Sequence, residues 1–144
     1  MATRERIGFF IAVLGLVLGC DSKPYGLAPV SGIVTLDGNP VPGAQVSFQP
    51  QGGSGNENPG PGSAGLCDES GRYELTTIRN EPGAVPGPHA VRIYGPKANV
   101  SSASDTDATG RKELFPPRYN FETELTFDVP EGGADAANFE LTSK

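Results

Sequence analysis

The run VSGIVTLDGNPVPGAQVSF, residues 30–48, decides the fold. Val30, Val34 and Leu36 share one parity, opposite Ser31 and Thr35, and this period of two is that of a strand with one wet face. Asp37-Gly38 then supplies a strong signal for a tight turn, in which Gly38 supports positive φ without strain. Pro40 and Pro42 preset φ on the return and withhold a backbone donor from an exposed edge. Beyond Gly43, Ala44, Val46 and Phe48 alternate with Gln45, Ser47 and Gln49, a second strand.

The same period recurs outward. Tyr73 and Leu75 oppose Arg72 and Glu74, just after the turn Asp68-Glu69-Ser70-Gly71. Val91 and Ile93 oppose Arg92. Thr123, Leu125, Phe127 and Val129 oppose Glu124, Thr126 and Asp128, and Phe139 with Leu141 opposes Asn138 and Glu140. A seventh strand is expected over residues 63–67. Gly and Pro interrupt every helical candidate. Half-buried sheets must cover their apolar faces with one another, so the sequence predicts an all-β, seven-stranded Greek-key β-sandwich. Its inward set is Val34, Leu36, Val46, Phe48, Tyr73, Leu75, Val91, Ile93, Leu125, Phe127, Phe139 and Leu141. Two long loops are expected, at residues 50–65, with nine Gly or Pro in 16 positions, and at residues 95–110, rich in Ser, Asp and Thr.

The N-terminus has a different character. Arg4 and Arg6 precede an uncharged run of 13 residues, 7–19, too short for a bilayer span of ~20 residues and suited to a signal-peptide core. The run ends in Val17-Leu18-Gly19-Cys20, which resembles the lipobox of bacterial lipoproteins, although Leu18 is larger than the usual residue there. The resemblance implies diacylglycerol on the Cys20 thiol, cleavage after Gly19 and further acylation of the new N-terminus. Two or more acyl chains hold a protein stably at a membrane. An ordinary secretory signal with a coincidental Cys and an uncleaved anchor are the other readings. The expected organisation is a signal peptide at residues 1–19, a tether at 20–29 and the sandwich at 30–144, with the protein anchored in the cell envelope and facing the periplasm or exterior.

Composition narrows the function. The 144 residues carry a net charge of −6, and loss of residues 1–19 leaves nine basic against sixteen acidic side chains, a net −7. A nucleic-acid partner needs the opposite sign. Gly and Pro reach about 24% without a collagen period. One His, one Met, two Cys and no Trp leave little for a metal site, and no cofactor motif is present. Cys67 becomes the only unmodified thiol, read as a small buried hydrophobe rather than an intermolecular link. Without a Cys…Trp…Cys core, an immunoglobulin-like sandwich is disfavoured.

Residues 30–48 resemble the opening hairpin of carboxypeptidase regulatory-like, transthyretin-like domains: a G-x-V strand, a D/N-G turn and a P-[VL]-x-G-A-x-V return. Asp68 to Leu75 resembles that family's D-x-x-G-x-[YF]-x-[LF] hairpin, and Gly87 to Ile93 its G-x-[YH]-x-V-x-[IV] strand. The tail, from Pro116-Pro117-Arg118-Tyr119-Asn120 to Leu141, is similar to small lipoproteins of this type in planctomycete-like bacteria. These motifs imply a fold and say little of function. The hydroxyisourate hydrolases of the wider family use several His, an Arg and a Tyr-Arg-Gly-Ser-type C-terminus. Here there is one His, and the chain ends Glu140-Leu141-Thr142-Ser143-Lys144.

The expected role is therefore non-enzymatic: a lipid-anchored envelope protein with a structural or protein-interaction task, its partners envelope proteins or polysaccharide. A ligand- or glycan-binding module is the alternative, and a hydroxyisourate-hydrolase-like enzyme comes third. His89 is read as a structural or solvent-edge histidine on the face of Val91 and Ile93. Asp105, Asp107 and Thr109 with Gly110 follow the opening of a calcium loop, but its twelfth position is Pro116 where a bidentate Glu belongs. Tyr119 is expected to pack its ring on the sandwich.

Overall fold

The computed structural model describes residues 25–53, 57–97 and 114–144. The signal peptide, Cys20, the first part of the tether and the Asp105–Gly110 motif lie outside the described residues. Among these residues nine strands form two sheets: β1 (Ser31–Leu36), β2 (Asn39–Pro40), β3 (Gln45–Pro50), β4 (Ser63–Leu66), β5 (Arg72–Glu74), β6 (Thr76–Thr77), β7 (Gly87–Tyr94), β8 (Thr126–Val129) and β9 (Phe139–Leu141). The only described helix is one 3-10 turn, Pro117–Tyr119. The protein is an all-β sandwich. Each of the seven expected strands is present; β2 and β6, two residues each, are too short to show a period.

One sheet is built on β1, which pairs antiparallel with β5 along Ser31–Ile33, antiparallel with β2 through Thr35 and Leu36, and parallel with β9 through Val34–Leu36. The alternation of β1 allots its two edges. Val34 donates to the Gly71 carbonyl and accepts from Val41 N–H, while Ser31 and Asp37 donate to the carbonyls of Ala134 and Leu141. The other sheet runs β6-β4-β3-β7-β8. Only Leu75 separates β5 from β6, so the chain changes sheets at one buried residue. The Asp37-Gly38 turn has φ of 50° and 83°, the positive pair a type I′ hairpin requires.

Nine of the twelve expected inward residues are buried, and Leu36, Leu125 and Phe127 are half-buried against the same core. Phe48 is the central ring. Its centroid lies 5.7 Å from Phe127 and 6.1 Å from Phe139, both edge-on, so the contact ties the two sheets together. Core residues lacking a periodic cue include Ala28, Ala84, Phe115 and Ala137.

Two boundaries differ from expectation. The described end of the tether, residues 25–29, belongs to the folded body: Ala28 is buried and exchanges two backbone hydrogen bonds with Ala84, at 2.8 and 2.9 Å. The β8 strand starts at Thr126 rather than Thr123. Before it, the Thr123 hydroxyl donates to the Val91 carbonyl and accepts from Leu125 N–H, so a side chain replaces one step of the ladder.

Candidate functional site

The D-x-x-G turn is a structural device. Asp68 Oδ1 accepts from Ser70 N–H at 2.8 Å, Ser70 Oγ at 2.6 Å and Arg72 N–H at 3.0 Å. The Ser70 hydroxyl bond, followed by the Arg72 backbone bond, holds its carboxyl below the usual carboxylate range. One of its two carboxylate oxygens is thus engaged in shaping the turn into β5.

From that turn β5 carries Tyr73 into the core. Its ring is 1% exposed and its hydroxyl donates to the Ala137 carbonyl at 2.6 Å. Gly32, the register partner of Tyr73, makes this reach possible. A Cβ at Gly32 would stand 2.0 Å from the same Ala137 oxygen. The glycine of the G-x-V motif is thus required by close backbone approach.

His89 is fully enclosed, 1% exposed, and its alternation with Val91 and Ile93 is as expected, while a place at the solvent edge is not. Phe48 packs on it at 5.6 Å, and its register partners are Phe127 on β8 and Pro50 on β3. Nδ1 donates to the Gly87 carbonyl at 2.9 Å. Nε2 is buried without a hydrogen-bond partner among the described residues. Burial pushes the imidazole below its ordinary pKa, against the smaller opposing effects of the Gly87 bond and Asp128.

Cys67 is a buried free thiol. Burial, reinforced by Asp68, pushes it up to about 11, so at neutral pH it is a protonated apolar group and a poor nucleophile. Tyr119 packs against the core, and Arg118 lies over its ring at 4.7 Å. Arg118 Nη2 also donates to the Thr142 carbonyl at 2.9 Å and to the Lys144 carbonyl, while Thr142 N–H donates to the Tyr119 hydroxyl at 3.2 Å. The PPRY segment therefore clamps the last residues of the chain.

Two concavities on the described surface stand out. A groove of about 500 Å³ opens between residues 29–31, 82–83 and 132–135, with Glu74 and Asp135 as its charged residues. A shallower one of about 330 Å³ is lined by Gln45, Leu66, Glu74, Thr76 and Lys97. No group of three or more His, Cys, Asp or Glu suited to a metal occurs among the described residues. Tyr94, half-buried, meets the exposed Phe121 edge-on at 6.0 Å; no periodic signal marks Phe121 for this pair. Comparison with protein-family models, curated proteins and solved structures gives no match in any of the three.

Proposed function

We propose that this chain is a lipid-anchored, non-enzymatic β-sandwich of the bacterial cell envelope, of the carboxypeptidase regulatory-like, transthyretin-like type, with a structural or protein-interaction role. The observation that carries the proposal is the order of residues 1–20: Arg4 and Arg6, the uncharged run, then Gly19-Cys20. Acylated Cys20 is the anchor. Tyr25, already half-buried, lies five positions after Cys20, and five residue steps reach at most about 18 Å. The sandwich then works close to the membrane surface, and its partners lie there too.

Two features of the body support a non-enzymatic role. Its single imidazole is shut inside the core, and its described thiol is buried and protonated. The second reading, a ligand- or glycan-binding module, draws support from the Tyr94–Phe121 pair, since exposed rings stack on the apolar faces of sugars. Its test is oligosaccharide binding by the full chain beside Phe121→Ala.

Fractionation tests the main proposal. The full chain expressed in a bacterium should remain in the membrane pellet after a high-salt wash and enter the detergent phase, and Cys20→Ser should shift it to the soluble fraction. Wild-type protein found soluble would refute the anchor. Crosslinking in intact envelopes then identifies partners within reach of the membrane face.

A further inference from the structure

We propose that His89 is an acid-sensitive latch on the β7–β8 edge, whose protonation forces β8 away from the sheet. The geometry sets up the conflict. The ring packs on Phe48; Phe127 and Pro50 are its cross-strand register partners, and among the described residues one acceptor, the Gly87 carbonyl, serves Nδ1. The neutral tautomer with hydrogen on Nδ1 satisfies that nitrogen and leaves Nε2 as an unfilled acceptor. A proton on Nε2 adds a second donor and a full charge at an atom that is buried and unpartnered.

Among the described residues no charged neighbour touches that nitrogen. On β8 the one charged residue near the ring is Asp128, whose attraction is outweighed by burial. From β3 come Phe48 and Pro50, and Phe139 of β9 packs on Phe48 and Phe127, all uncharged, while Glu140, the next residue, is exposed. Arg92, on β7 itself, has the opposite parity, and Arg118 of the 3-10 helix is engaged with the C-terminal residues.

Strand β8 is the element that gives way. It lies at the end of its sheet, pairs only with β7, and its four-residue register includes Phe127 directly opposite His89. Turning the imidazolium toward water requires Phe127 to leave, and with it the ladder from Gly87 to Ala90. The unfolded or opened chain binds a proton with the ordinary histidine pKa, whereas the closed chain resists it. Closure is therefore fully favoured above that value and is lost as pH falls through it.

The chain has one His, so its imidazole resonances are unambiguous in NMR. In the wild-type full chain the ring should stay neutral through the ordinary titration range near pH 6.5 for as long as β8 is closed. Amide exchange at Thr126–Val129 should rise ahead of that at β1. The unfolding constant should rise about 30-fold between pH 7.5 and 5.0, the limit set by an unfolded-state pKa of ~6.5, and His89→Phe should flatten this dependence. Ordinary titration near pH 6.5 with β8 still protected would overturn the proposal, as would an equal rise in His89→Phe. If that variant fails to fold, the wild-type titration and exchange data decide alone.

Discussion

Tyr73 and His89 are both aromatic, both polar and both 1% exposed, yet their ends of the sandwich are held differently. At the β5–β9 end the Tyr73 hydroxyl reaches an acceptor, Ala137, and the approach is fixed by a glycine and by the Asp68 turn. At the β7–β8 end His89 satisfies one nitrogen and leaves the other bare. A buried polar group with its partner is inexpensive, whereas one without it carries a standing penalty, of about 1–3 kcal/mol for a neutral group. One end is pinned by matched hydrogen bonds. The other is packed by rings around a group that tolerates only one charge state.

Breaking the pinned end should have the largest effect. Gly32→Ala drives a methyl group into the Ala137 carbonyl, a backbone atom that no rotamer change can move. A loss of at least about 3 kcal/mol is expected by denaturant unfolding. Tyr73→Phe keeps the ring and removes the hydroxyl, stranding the Ala137 oxygen at a cost of about 1–3 kcal/mol. That loss should be independent of pH between 5 and 8, in contrast to the acid response assigned to His89.

Asp68→Asn sharpens the comparison from the acid side. The Asp68 carboxyl is held below its ordinary value, so its contribution is present above about pH 4 and lost as pH falls through the folded-state value. The variant should have a lower Tm at pH 7 than wild type, and the gap should close toward pH 2. At the small end, Ile78→Thr changes a side chain that is 82% exposed. Its effect should stay within about 0.5 kcal/mol at any pH tested.

Much of this contrast was legible in the residues themselves. Period two placed Val34, Val46, Phe48, Val91 and Ile93 inward, because alternation follows from strand geometry alone. It also put His89 on their face. Full enclosure of His89 was not legible, since it depends on Pro50 and Phe127 arriving from other strands. The same holds for the Tyr73–Ala137 bond, which joins positions 64 apart across Gly32. Parallel pairing of β9 with β1 and the burial of Ala28 are likewise tertiary, and a single Ala carries no periodic signal. The exposed Phe121 looked like any aromatic in a loop, and its relation to Tyr94 is spatial. Cys20 was the reverse case, read wholly from the order of its neighbours and lying outside the described residues.

Both ends of the sandwich are interior, so what the protein does in the proposed account depends on where its body is held. Intact mass of the protein extracted from bacterial membranes tests that most directly. The account predicts the mass of residues 20–144 plus a diacylglycerol and a further acyl chain, with both additions absent in Cys20→Ser. A mature or full-length mass without lipid in the wild type would contradict it.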